Sequence, residues 1–183
     1  MEARGMTLGL QKIVGLDLSP TIGFAVGYAG EVPRWGAVKL PKDAGYGAVC
    51  AAFEDWLEQF LETEKPDLVV YEAPLAPDQQ GDRESCVYAY GLAFAAMGSV
   101  WRAGIPIEWH GVDTLRGAVI GRTKLTAEEK RRRPRPTVKT LIVEPWIKAQ
   151  GWDISHPDAR DAAVVWAYSV GMRHPAFGRR RAA

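Results

Sequence analysis
The sequence predicts an α/β fold, a mixed five-stranded sheet with helices on both faces. Three observations predict it. Short apolar runs alternate with longer segments of helical periodicity, in the order β-β-β-α-β-α-β-α with further helices towards the end. Only turn residues separate the first three runs, so these pair antiparallel, whereas helices separate the later strands and make the sheet mixed. The chain has 183 residues, 47% hydrophobic and 25% charged, with no internal repeat and no linker, which suits one domain over 1–183. Its core spans about 12–172, with a basic loop at about 121–136 and a basic tail at 173–183.

Each element has its own signal. Ile13-Val-Gly-Leu-Asp-Leu18 is an apolar strand holding one carboxylate, Asp17. Ser19-Pro20-Thr21 turns the chain into a second strand, Gly23–Tyr28, and Ala29-Gly30 leads to a third, Trp35–Leu40. Val49, Phe53, Trp56, Leu57, Phe60 and Leu61 form one apolar helical stripe, which Pro66 ends. Leu68–Tyr71 is a buried strand leaving through Glu72. A helix punctuated by Gly91 and Gly98 spans about Cys86–Ala103, and Ile105–Trp109 is the fifth strand. Asp113 suits the N-cap of a short helix to Val119. Gly121–Pro136 reads as a basic loop. Thr137–Gln150 is helical, kinked or interrupted at Pro145. A last helix starts near His156-Pro157, where Ser155 and Asp158 resemble a capping box, and runs to about Met172.

Composition excludes a disordered chain, a collagen-like fibre and a coiled coil. Two cysteines, Cys50 and Cys86, exclude a disulfide scaffold and read as reduced core residues. No signal-type segment opens the chain, and its longest uncharged run, Cys86–Trp101, is too short to span a bilayer. A cytoplasmic, nucleoid-associated protein with no membrane partner is expected. The tryptophans read as core, except Trp152 in the loop before the last helix. His110, His156 and His174 are not expected to be ligands, although His156 sits at the edge of that helix.

The net charge of +1 is an average over two unlike halves. Asp43–Glu84 carries eleven acidic and two basic residues, or −9, and His110–Gln150 ten basic and four acidic, or +6. Such segregation suits a polyanionic partner, or else two solvated faces.

Four carboxylates stand in apolar surroundings. Asp17 lies in one strand and Glu72 at the end of another. Asp158 and Asp161 share a face of a helix whose next residues, Ala162–Val170, are almost wholly apolar. Taken singly, each has an ordinary explanation: Asp17 a turn at Ser19, Glu72 a lysine partner, Asp158 the helix dipole. Together they favour one shared metal site, because unpaired buried carboxylates are costly. Oxygen-only ligands select Mg²⁺ or Mn²⁺ over zinc. Two such ions can divide the cleavage of a phosphodiester, one activating water and the other stabilising the leaving 3′ oxygen. Lys130, Arg131, Arg132, Arg133, Arg135 and Lys139, with Arg122 and Lys124 before them, then serve as phosphate contacts.

Three segments carry a family resemblance. Gly15-Leu-Asp-Leu-Ser-Pro-Thr-Ile-Gly-Phe-Ala-Val26 resembles the first motif of the RuvC resolvases, Val69-Val-Tyr-Glu72 the second, and Asp158-Ala-Arg-Asp-Ala162 the last. Between them, Tyr90–Ile105 is similar to the family's glycine-containing helix and following strand, and Leu115–Gly121 to its lysine-plus-Val-x-Gly segment. The likeness covers about 12–172. It implies a ribonuclease-H-like fold and a homodimer that nicks four-way (Holliday) junctions symmetrically with two Mg²⁺ ions, leaving 5′-phosphate and 3′-hydroxyl ends. It carries the catalytic, metal-binding carboxylates onto Asp17, Glu72, Asp158 and Asp161, and two lysines near the scissile phosphate onto Arg116 and Lys139. It also implies that Cys86–Trp101 supplies the dimer helix, and leaves room for a branch-migration helicase as a further partner.

The sequence departs from the family pattern. Asp17-Leu-Ser-Pro20 stands where the family has Asp-Pro-Gly, Leu75 where it often has a base-stacking aromatic, and Lys124–Lys139 is longer than its counterpart. A divergent, phage-type member fits these changes. Two other nucleic-acid readings remain: a branched-DNA binding module that does not cut, and a nuclease for flaps or other branches. An ATP-binding member of the actin and sugar-kinase superfamily would need a duplicated fold, for which the chain is too short.

Overall fold
A computed structural model describes residues 10–134 and 136–174. Strands β1 (Lys12–Asp17), β2 (Thr21–Tyr28), β3 (Arg34–Lys39), β4 (Leu68–Glu72) and β5 (Ile107–His110) form one sheet in the order β3-β2-β1-β4-β5. The hairpins β1–β2 and β2–β3 are antiparallel; β4 joins β1, and β5 joins β4, in parallel. The sheet is therefore mixed, as the order of elements requires. Asp17 is the last residue of β1 rather than an interior one, so it stands at the C-terminal end of the central strand.

Alternation along the strands sorts two cores. Val14, Leu16, Phe24, Val26, Val69 and Tyr71 face helices α1 (Tyr46–Glu64) and α2 (Arg83–Arg102). Ile13, Ala25, Leu68 and Val70 face the opposite layer, made by α3 (Val112–Ile120), α5 (Glu144–Ala149) and α6 (Pro157–Arg173). Period two places Asp17 and Glu72 on this second face, towards α6. Residues 161–170 of α6 are all buried, which is why the helix carries no polar stripe.

The seam between α6 and the sheet is made of small residues on both sides. Gly15 of β1 and Gly23 of β2 meet the helix backbone directly. A Cβ on Gly15 would lie 2.6 Å from both Ala162 O and Trp166 N, and one on Gly23 would overlap the Asp158 carbonyl and lie 2.8 Å from Ala159 N. Real Cβ atoms essentially never come inside 3.0 Å. Ala159, Ala162 and Ala163 are fully buried here, and Trp166 donates its indole N–H to Gly27 O at 3.2 Å.

Several local expectations are corrected. The basic loop contains a helical turn, α4 (Ala127–Arg131), closed by a capping box between Thr126 and Glu129. The sequence Thr-Ala-Glu-Glu carries that signal. Helix α3 is capped by Gly111, with Asp113 inside its first turn. Helix α6 is capped by His156, whose Nδ1 accepts the Asp158 N–H at 3.3 Å, so Ser155 forms no capping box. The helix expected at 137–150 divides into a π-helical turn, Lys139–Val143, and α5. Pro145 has no N–H to offer Leu141, and the turn before it widens until Glu144 N–H reaches Lys139 O.

Trp152 is buried against Trp146 and Trp166, whereas Trp101 and Trp109 are exposed. Buried apolar neighbours outweigh its position in a loop. Cys50 and Cys86 are free and half-buried. No helix among the described residues is long and apolar enough to cross a membrane.

Candidate active site
Three elements deliver one cluster of four carboxylates. Asp17 ends β1 and Glu72 ends the adjacent parallel strand β4, with Leu16 opposite Tyr71 in the register, so the two side chains leave neighbouring strand ends on the same face. Asp158 and Asp161 come from the first turns of α6, which the Gly23 contact holds down on the sheet. Gly23 is also the register partner of Asp17. One glycine thus joins the first carboxylate to the last two, a role that its place in the second strand and the first motif does not state. Its signal was the run of small residues at alternate positions, Gly23, Ala25 and Gly27, on the face turned towards α6.

Two cations hold the cluster together. Lys139 Nζ lies 2.7 Å from Asp158 Oδ1, 2.7 Å from Asp161 Oδ2 and 3.7 Å from Asp17 Oδ2. Oxygens of Asp158 and Asp161 that share this nitrogen stand no farther apart than twice its bond distance. Arg116, from α3, lies 3.2 Å from Asp161 Oδ1 and 3.9 Å from Glu72 Oε2. Asp161 is thereby bracketed by an ammonium and a guanidinium, and its side chain is only 4% exposed. Arg160 points away, donating to Ile154 O at 2.7 Å and to Glu144 at 2.9 Å, which fastens α5 beside the start of α6.

Burial sets the electrostatics. It pushes the Asp17 carboxyl well above the usual range, with Asp161 adding to the effect and Lys139 opposing it. Burial also lifts Glu72 to about 7, against the pull of Arg116. Burial works against the Lys139 ammonium too, but Asp161, Asp17 and Asp158 together outweigh it and hold its pKa above that of an ordinary lysine. Among the described residues, no three Asp, Glu, His or Cys side chains are arranged around a point as a metal cage. The carboxylates close instead on the Lys139 ammonium. In chemistry the donors suit a hard divalent cation, being carboxylate oxygens only, and they already surround one positive centre.

The remaining basic residues divide into groups. Lys124, Lys130, Arg131, Arg132 and Arg133 are exposed. Lys124 lies 3.5 Å from Asp113 in an exposed pair. Arg122 forms an ion pair with Glu129 and donates to Lys124 O at 3.2 Å, clasping the two ends of the segment that leads into α4. Arg135 and the tail arginines Arg179, Arg180 and Arg181 lie outside the described residues. Leu75 is exposed in the segment after β4, where Tyr90 Oη and Gln80 Nε2 both donate to its carbonyl at 3.1 Å.

No protein-family model matches the sequence, and no curated protein matches it. Solved structures do. RuvC of Thermus thermophilus in complex with a Holliday junction substrate superposes with a TM-score of 0.64 at 12% identity, over 91% of this chain and 96% of that one. The chain has the RuvC fold. A second structure of Thermus thermophilus RuvC gives a TM-score of 0.62 at 17% identity, over 88% of this chain and 96% of that one. The yeast mitochondrial Holliday junction resolvase Ydc2 gives 0.57 at 13% identity, over 93% of this chain and 81% of that one. The ribonuclease-H-like sheet with helices, implied by the three sequence motifs, is thus the fold observed.

Proposed function
We propose that this chain is a metal-dependent endonuclease that resolves four-way DNA junctions as a homodimer. The observation that carries the proposal is the convergence of Asp17, Glu72, Asp158 and Asp161, with Arg116 and Lys139, at the C-terminal ends of the two central parallel strands of a RuvC-type sheet. Branched DNA binding alone has no use for four partly dehydrated carboxylates. The four would hold Mg²⁺ or Mn²⁺, and two such ions, when bound, supply the charge that activates water and neutralises the leaving 3′ oxygen. The products are a 5′-phosphate and a 3′-hydroxyl.

The protein side chains supply position. Arg116 braces Asp161 against Glu72. The exposed cations of 124–133 contact phosphates on the arms of the junction, and the Arg122–Glu129 clasp fixes where α4 presents Lys130 and Arg131. A junction is two-fold symmetric, so paired cuts need two sites related by a two-fold axis. Helix α2 offers the surface for that axis: Val87, Phe94 and Trp101 stand seven residues apart, and Phe94 and Trp101 are 65% and 79% exposed.

The deciding experiment is cleavage of a synthetic four-way junction with Mg²⁺ by wild type and Asp17→Asn. Symmetric nicks by wild type and their loss in the variant are expected. Equal cleavage by both proteins refutes the carboxylate assignment. Tight junction binding without any nicking by wild type would establish the binding module instead, and cleavage confined to flaps would change the substrate.

A further inference from the structure
We infer that Lys139 is a built-in counter-cation of the carboxylate cluster, and that a divalent ion entering the site must displace its ammonium. The inference rests on the metal-dependent reading above and adds the order of events at the site. Lys139 Nζ occupies the point on which Asp17, Asp158 and Asp161 close, at 3.7, 2.7 and 2.7 Å. A cation held by the same oxygens would need the same space.

The two cations of the cluster are unlike in their freedom. Arg116 is 14% exposed and its planar guanidinium is fixed between Asp161 and Glu72. Lys139 is 40% exposed, and its ammonium is a point charge on a four-carbon stem that can swing outwards without any change of backbone. It stands at the first position of the π-helical turn, directly after the basic segment. An ammonium leaving the cluster becomes one more exposed cation in a stretch of chain that already carries Lys124, Lys130 and Arg131–Arg133.

The exchange has a consequence in charge. Before it, the ammonium is paired inside the cluster and offers nothing to a phosphodiester outside. After it, the ion takes up the negative charge and the freed ammonium adds to the attraction outside. Metal and DNA then bind cooperatively, each favouring the state with Lys139 released.

The test uses the full chain. Binding of Mn²⁺ is read from the electron paramagnetic resonance signal of the free ion, for wild type and Lys139→Met. The variant is expected to bind Mn²⁺ roughly tenfold more tightly, because no ammonium competes. A second measurement needs no variant: reductive methylation of wild type followed by peptide mass spectrometry. Methylation of Lys139 should be slow without metal and several-fold faster with saturating Ca²⁺, while Lys124 and Lys130 react equally in both. Equal or weaker Mn²⁺ binding by a folded Lys139→Met, or a Lys139 methylation rate that ignores Ca²⁺, overturns displacement and leaves the metal reading standing. Failure of both proteins to bind Mn²⁺ overturns the metal reading and displacement together.

Discussion

Gly23→Ala is the substitution that most directly couples packing to chemistry. The added methyl would overlap the Asp158 carbonyl and lie 2.8 Å from Ala159 N, and both obstacles are backbone atoms that no side-chain rotation can move aside. Relief comes from lifting the first turn of α6 off β2 by roughly an ångström, and a misplacement of that size at a catalytic group costs about 10²-fold in rate. The overpacking costs about 1–3 kcal/mol of stability, or a melting temperature lower by roughly 3–10 °C for a chain of this size. Gly15→Ala makes the same kind of clash further along, against Ala162 O and Trp166 N at 2.6 Å, below the turn that carries Asp158. Because Ala162 directly follows Asp161, it should lose comparable stability and comparable activity. Gly47→Ala in α1, where an added Cβ meets nothing within 4 Å, is the control and should be neutral or slightly stabilising. The assay is the single-turnover rate of junction cleavage beside a thermal melt of each variant. A Gly23→Ala protein that melts with wild type and cleaves within threefold of its rate would show that the helix is not seated by this contact.

Three further outcomes are expected. Glu72, lifted to about 7 from 4.5, keeps a proton in the folded state across a window where the unfolded chain has lost it, so metal-free stability falls as pH rises from about 4.5 to 7. The cost reaches at most about 3 kcal/mol at neutral pH; Glu72→Gln in EDTA should therefore melt higher than wild type at pH 7.5 and alike at pH 4.5, and a lower melt at pH 7.5 would refute the burial argument. Glu129→Gln removes an acid beside the basic segment, so charge alone predicts tighter junction binding, whereas loss of the Arg122 clasp predicts binding about threefold weaker by fluorescence anisotropy. Phe94→Asp on α2 should convert a dimer to a monomer in sedimentation and abolish paired nicking, while leaving the fold intact by circular dichroism.

The sheet was legible in the sequence because its signals are local. Apolar runs, turn residues and the stripe of α1 each act within a few residues. The carboxylates were legible for a different reason: charge in an apolar strand or before an apolar helix conflicts with its surroundings, and such conflicts concentrate at functional sites. The partners of those carboxylates were less legible. The resemblance sets Arg116 and Lys139 near the scissile phosphate, but nothing in their local sequence says that they pair with the carboxylates themselves, since Arg116 meets Asp161 across 45 residues. The turn α4 was hidden by the prolines and arginines around it, although Thr126 and Glu129 carried its cap. Trp152 was read from its loop, yet its burial comes from Trp146 and Trp166. Gly23 lies inside the first motif, but alternating small residues say only that something approaches the strand closely, not that it is the start of α6.

That contact bears on how far such a sequence can drift. Where α6 meets β1 and β2, main-chain atoms touch main-chain atoms, and the requirement on the genetic text reduces to small residues at a few places: Gly15, Gly23, Ala159 and Ala162. A chain anchored in this way can share 12% of its residues with another and still follow the same path over nine-tenths of its length.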